Sequence, residues 1–301
     1  MIHFKSSKIL IPIDFSETSM LAVKHGAFMA QYSKGDLYLL HVINAHYTSQ
    51  NVFLPIVQME NSTEIEKKLQ EKLVQLAEDI KNEYKIKVDC IIKTGIPSNE
   101  IIDTIEEISA DLVVMGTHGY SPLEELVIGS NALRVITKAN CQVMTMSSEA
   151  NHKGYSHILI PIDSSAHSRQ KVVYALELAK LFRAHVYAVA LLNTDMEAKK
   201  PAMELILHQI GDLAKEKGVN YTSEVLTGLK NRAVATVNYA EKVNADLMVI
   251  MSDQDAEFSG FFLGPYTQQV IHLSKIPVIT VKPEEHPENI NFSILSGTSG
   301  I

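Results

Sequence analysis

Short apolar runs alternate with longer amphipathic stretches along the chain. KILIPI, residues 8–13, is apolar after its leading lysine, and a continuous run of that length marks a strand covered on both faces. SETSMLAVKHGAFMAQYS (16–33) reads as a helix, with Ser16 placed to cap it and Glu17 in its first turn. DLYLLHVI (36–43) is the next strand. Over 62–84, Ile65, Leu69, Leu73, Leu76, Ile80 and Tyr84 recur at steps of three and four, one helical stripe. KIKVDCIIK (85–93) reads as a third strand. PSNEIIDTIEEIS (97–109) is a helix opened by Pro97 and Ser98, turning Ile101, Ile105 and Ile108 inward. DLVVMG (111–116) is a fourth strand, 129–139 a helix and CQVMTM (141–146) a fifth strand. Such alternation predicts a parallel sheet with helices on both faces and right-handed crossovers. Ligands of such sheets bind at the carboxyl ends of the strands, where the strand order reverses.

The pattern is written twice. KILIPID (8–14) returns as HILIPID (157–163), an offset of 163 − 14 = 149. DLVVM (111–115) returns as DLMVI (246–250), and CQVMTM as IPVITV (276–281), both at an offset of 135. The second copy is therefore shortened in its middle. So long a period fits a duplicated domain rather than a solenoid. The polar, small-residue seam SSEANHKGYS (147–156) reads as the linker. The expected domains are 1–147 and 156–283, with a tail, 284–301, that lacks periodicity and reads as extended or disordered.

Composition narrows the class. A chain of 301 residues suits about two domains, and 46% hydrophobic residues suffice for ordinary cores. A net charge of −8 argues against a nucleic-acid surface. No apolar run reaches the length of a membrane-spanning helix, and MIHFKSSKILIPID turns strand-like too soon for a signal peptide. Two cysteines, Cys90 and Cys141, sit beside strand residues and read as buried free thiols. The expected setting is the cytoplasm.

The candidate chemistry lies in GTHGYSPLEELVIGSN (116–131), directly after the fourth strand. Gly116 and Gly119 lack Cβ atoms, so the chain can take unusual φ values and bring N–H groups close to a ligand. Gly129-Ser130-Asn131 opens a helix, whose N-terminal donors and partial positive charge suit a phosphate. The stretch is neither a P-loop, since the G-K-[ST] ending is missing, nor a dinucleotide fingerprint, since its second gap is nine residues. Three glycines alone read equally well as turns and a helix cap.

The spacing G-2x-G-9x-G-[ST]-[STN] resembles the nucleotide loop of the universal stress protein family. IPIDFSETSMLAVKHG (11–26) resembles that family's first strand and helix, and LLHVI (39–43) its second strand. The likeness runs through both copies to about residue 283. It implies an α/β, Rossmann-like fold of two tandem doubly wound parallel five-stranded sheets, each of order 3-2-1-4-5, with the copies packed like a dimer. It also implies ATP, with Mg or Mn accompanying the nucleotide, and a homo-oligomer, a dimer of tandem chains.

By the same resemblance Asp14 faces the ribose or the metal, and Ile13, Val42 and Met115 wall the adenine pocket. Gly116, His118 and Gly119 line the ribose and phosphates, and Gly129, Ser130 and Asn131 hold the phosphates. Each has a plainer reading. Asp14 can cap the following helix, Val42 and Met115 suit any core, and His118 suits a solvated loop. His41 reads as a satisfied histidine rather than a ligand.

In the second copy the loop has decayed. At the 135 offset Gly116 becomes Met251, Gly119 becomes Gln254, Ser130 becomes Pro265 and Asn131 becomes Tyr266, while Gly129 survives as Gly264. Pro265 has no N–H to give, and Asp253, Asp255 and Glu257 put negative charge where a phosphate would sit. ATP is expected in the first copy alone. The expected function is an ATP-binding regulatory, stress-response protein. The alternatives are a slow ATPase or self-phosphorylating protein, with Ser130 as acceptor, and a nucleotide-independent scaffold. The loop's lack of Lys and Arg weighs against efficient phosphoryl transfer.

Overall fold

The computed structural model describes residues 4, 6–44, 59–117, 128–150, 154–163, 166–252 and 263–283. His118, Gly119, the acids of 253–257 and the tail lie outside these residues. The first copy runs β1 (Lys8–Pro12), α1 (Glu17–Ser33), β2 (Asp36–Asn44), α2 (Met59–Tyr84), β3 (Val88–Gly95), α3 (Pro97–Ile108), β4 (Leu112–Gly116), α4 (Ser130–Lys138) and β5 (Gln142–Met146). The second runs β6 (His157–Ile162), α5 (Ala166–Phe182), β7 (His185–Asn193), a 3₁₀ turn (Thr194–Lys199), α6 (Lys200–Lys217), β8 (Tyr221–Leu229), α7 (Arg232–Lys242), β9 (Leu247–Met251), α8 (Pro265–Leu273) and β10 (Val278–Val281). Among the described residues no helix is long and apolar enough to cross a membrane.

The chain divides into two compact units, one of Lys5–Lys153 with Ser274–Thr280, the other of Met1–Phe4 with Gly154–Leu273 and Val281–Ile301. In the former the strand order is β3-β2-β1-β4-β5, and every neighbouring pair is parallel. The order reverses between β1 and β4. One strand is added to the expected five: β10 lies antiparallel to β5, Val278 opposite Thr145 and Thr280 opposite Val143. The Thr280 hydroxyl donates to the Val143 carbonyl at 3.0 Å. In the other unit the order is β8-β7-β6-β9, again parallel throughout.

Apolar runs fill the strands because helices cover both faces. α1 packs with α2 and α3 with α4, and the second half repeats this with α5 against α6 and α7 against α8. Ile9, Leu10, Ile11, Leu39, Leu40, Val113 and Val114 are wholly buried, as are Ile158, Leu159, Ile160 and Leu247. The aspartate opening each DL pair has a matching task. Asp111 accepts the N–H groups of Ser7 and Lys8 at 3.0 and 3.1 Å. Asp246 accepts those of Ser156 and His157 at 2.7 and 3.0 Å. Each pins the start of its central strand.

Local chemistry sets the element ends. Ser16 caps α1, its Oγ accepting the Ser19 N–H at 3.2 Å. α1 closes on left-handed Lys34, followed by Gly35, where a Cβ would sit 2.1 Å from the Ser6 carbonyl oxygen. β3 begins at Val88 rather than Lys85, because Lys85, at φ 57°, is spent closing α2. Cysteine burial is a second correction. Neither cysteine is in a disulfide, but only Cys141 is buried. Cys90 is exposed on β3, the end strand of the first order, with its Sγ 3.6 Å from the Leu73 carbonyl oxygen.

Candidate functional site

The strand-order reversal puts the ends of β1 and β4 side by side. β1 stops at Pro12, so Ile13 and Asp14 form the first turn beyond it. Ile13 is held from both sides. Its N–H donates to the Leu40 carbonyl at 2.7 Å, and its own carbonyl accepts from His41 Nδ1 at 2.7 Å. His41 is thus satisfied by the backbone, and its Nδ1 carries the proton. Asp14 is exposed. Its Oδ1 accepts both the N–H and the hydroxyl of Ser16, at 2.9 and 2.5 Å. Asp14 therefore steadies the residue that caps α1, while its Oδ2 takes no part in either bond.

Between them Phe15 adopts φ 65°, a left-handed conformation costly for a bulky residue. Its ring lies 5.3 Å from that of His41, and the Lys72 ammonium sits 4.2 Å from the ring centroid. Phe15 went unremarked in the sequence. Its only signal was a large aromatic between the two polar residues of a tight turn.

On β4, Met115 is buried and Gly116 half-buried, opposite Thr145 and Met146 of β5. Thr117 turns inward. Its N–H and hydroxyl both reach the Met146 carbonyl, at 2.9 and 3.2 Å. The chain is described again from Ile128, and Gly129 donates its N–H to the Thr117 carbonyl at 2.9 Å. This bond closes the neck of the loop and sets α4 at the end of β4. Gly129 contributes no side-chain cap, no acid stands in the first turn of α4, and Ser130 and Asn131 are exposed. The start of α4 is therefore a row of backbone donors with no carboxylate to oppose an anion.

One expectation changes. Neither Gly116, within β4, nor Gly129, at φ −56°, has a positive φ. Neither position therefore requires glycine for an unusual backbone. Val42, half-buried, lies near the end of β2 at the same edge of the sheet. The structure thus gathers Ile13, Asp14, Val42, Met115, Gly116, Gly129, Ser130 and Asn131 at the carboxyl ends of parallel strands. A cavity of about 350 Å³ lies elsewhere in this unit, lined by Ile43, Leu73, Cys90 and Thr94 among others, and includes none of them. Among the described residues no three acids, histidines or cysteines cluster as a metal site would require.

The second copy keeps the neck and changes its chemistry. Gly264 donates its N–H to the Ser252 carbonyl at 3.2 Å, and the Ser252 N–H donates to the Val281 carbonyl at 3.0 Å. Pro265 takes the first position of α8. Tyr266 is buried and bonds the Thr236 hydroxyl at 2.8 Å. Since Thr236 already donates to the Arg232 carbonyl, the tyrosine is the donor to Thr236. The Thr267 hydroxyl bonds the Met251 carbonyl at 2.9 Å. The sequence also hid Lys171 of α5, wholly buried, at the place that Ala22 takes in the first copy. Its signal was the copy-to-copy comparison, a lysine opposite an alanine.

Comparison with known proteins decides the family. The sequence model of the universal stress protein family matches residues 5–146 and 154–282, which is most of the chain in two blocks. The chain belongs to the universal stress protein family. A universal stress protein of Methanocaldococcus jannaschii is 35% identical over 151 residues, covering 46% of this chain and 93% of its own. A universal stress protein of Mycobacterium tuberculosis strain H37Rv is 23% identical over 301 residues, covering 92% of this chain and 98% of its own. A solved universal stress protein from Archaeoglobus fulgidus superposes with a TM-score of 0.73 at 21% identity, over 94% of this chain and 98% of that one. The last two share the full tandem length, and the solved structure shares the fold.

Proposed function

We propose that this universal stress protein binds ATP at the carboxyl ends of the first half's strands, and that occupancy rather than turnover is its output. The observation that carries the reading is the start of α4. Ser130 and Asn131 present backbone donors and an exposed hydroxyl, with no acid in that turn, beside the neck that the Gly129 N–H closes on Thr117. Met115 and Val42 offer apolar surface for a base at the same sheet edge, and Ile13 is fixed by two backbone bonds. His118 and Gly119 belong to the same site by their place in the loop.

A divalent ion would arrive with the nucleotide. Asp14 fits that duty, since its carboxylate is exposed and Oδ2 is not used by Ser16. The ion would neutralise phosphate charge. Asp14 would orient it, and α4 would hold the phosphates. Between Gly116 and Asn131 the chain has no Lys or Arg to stabilise a transferring phosphoryl group. Binding therefore biases a conformation or an assembly that a partner reads, by no more than the difference in ATP affinity between the two states. The same reading takes two tandem chains to associate, which sedimentation with and without ATP would check.

The test is a single-turnover experiment on nucleotide-stripped protein with Mg and labelled ATP. Bound ATP recovered intact, with neither ADP nor a labelled Ser130, is the expected result. Turnover on the scale of seconds would make the protein an enzyme, and no retained nucleotide would leave the scaffold reading.

A further inference from the structure

The end of β6 holds a positive charge that the end of β1 does not. At the offset of 149, Lys171 of α5 stands where the first half has Ala22 of α1, and both positions are wholly buried. Helical side chains lean toward the helix N-terminus. The Lys171 chain follows that direction, and its Nζ donates to the Ser168 Oγ at 3.0 Å, one turn earlier. The same Oγ accepts the Asp163 N–H at 3.1 Å. Asp163 follows β6 as Asp14 follows β1.

Lys171 is itself wholly buried, so its ammonium is shut off from bulk water. Val172, Tyr174, Ala175 and Leu178 of the same helix are wholly buried, as are Ile160 and Ile162 of β6. Isolated charges do not persist in such surroundings without a partner. Burial pushes the Lys171 ammonium down to about 8, and the charge of the Asp163 carboxylate acts against that fall. Ala22 asks for no such compensation, and Asp14 in the first half is exposed.

We infer that Lys171 is a built-in cation of the second half: its ammonium fills the space beside Asp163 and Ser168 and closes it to an external cation or to a ligand that brings one. The second half would thus carry permanently, as part of its own helix, a charge that a strand-end carboxylate otherwise takes from solution. This holds whether or not the first half binds a nucleotide.

Chemical rescue in the full-length chain tests it. Lys171→Ala restores the first half's residue and removes a group the size of n-propylammonium. The variant should melt several degrees lower than the parent by calorimetry. Millimolar n-propylammonium should recover part of that loss, while sodium chloride at matched concentration should not, and the parent should respond to neither. Equal rescue by n-propylammonium in Lys171→Ala combined with Asp163→Asn would show that the space requires bulk and not a charge beside Asp163, and would overturn the inference. If Lys171→Ala does not fold, Lys171→Met and Asp163→Asn, alone and combined, decide the matter. The inference predicts that Asp163→Asn ceases to destabilise once Lys171 is methionine. Strictly additive losses would overturn it.

Discussion

At the end of β4 and at the end of β9 the backbone makes the same moves. A glycine N–H closes the neck on the residue after the strand, at 2.9 Å from Gly129 to Thr117 and 3.2 Å from Gly264 to Ser252. The same glycine then accepts the first helical bond, from Leu133 in one half and Gln268 in the other, at 2.9 and 3.0 Å. Only the side chains differ. One helix opens on exposed Ser130 and Asn131, the other on Pro265 and a buried Tyr266 that is hydrogen-bonded into its own half. The neck is therefore a requirement of the fold, and its presence says nothing about a ligand. On the proposed reading the chemistry resides in what the first turn of the helix leaves bare, where the second half has Pro265 and the buried Tyr266. The same contrast recurs in the first helix of each half, where Ala22 of α1 corresponds to Lys171 of α5.

The largest effect tests whether the two halves share a scaffold. Leu10→Ala and Leu159→Ala remove wholly buried side chains at matching places in β1 and β6. Each should cost about 2–5 kcal/mol in urea unfolding. A loss confined to one half would break the comparison at its root. Next in size is a pH effect that only the second half should show. The folded state holds Lys171 at about 8, below its ordinary 10.5. Below pH 8 both states are protonated and the fold bears the full cost of the buried charge. Between about pH 8 and 10.5 the folded state releases the proton while the unfolded chain keeps it, so stability rises, by about 3 kcal/mol in all. Lys171→Met should lose this rise, seen as the difference between the two proteins' urea midpoints at pH 7 and pH 10. Equal pH profiles would refute it.

A smaller effect sharpens the contrast between the loops. Gly129→Ala and Ser130→Ala should each weaken ATP binding about tenfold, roughly 1.4 kcal/mol, with folding unchanged. Gly264→Ala should leave ATP affinity alone, as should Asp163→Asn. Smallest is a helix cap that the repeat did not copy. Asn231 caps α7 by accepting the Ala233 and Val234 N–H groups at 2.9 and 3.2 Å, whereas Ile96, its counterpart before α3, has no side-chain cap. Asn231→Ala should cost about 1 kcal/mol in thermal unfolding. The corresponding Ile96→Ala uncaps nothing.

Period and polarity made the fold legible. Continuous apolar strands, helical stripes and two constant offsets carried the α/β class and the duplication. Three things escaped for identifiable reasons. An apolar run does not tell whether its strand has a neighbour on each side, so Cys90 was expected to be buried. A glycine needed for its φ looks the same in sequence as one that is not, and Gly116 is of the second kind. A lysine amid SRQKVVYALELA reads as solvated, because helical pattern alone does not show that Ser168, one turn earlier, accepts both the Lys171 ammonium and the Asp163 N–H. Of the candidate site, the residues that share the sheet edge were readable from strand ends. The tie between Asp14, Ser16 and α1 was not, since it depends on the turn that Phe15 makes.

The central claim is that one half of this protein is open to a nucleotide and the other has closed itself. Calorimetric titration of the nucleotide-stripped chain with ATP and Mg tests it most directly, read for stoichiometry as well as affinity. The account predicts one ATP per chain, abolished or weakened by Gly129→Ala and indifferent to Gly264→Ala. Two per chain, or one that follows Gly264 instead, would contradict it.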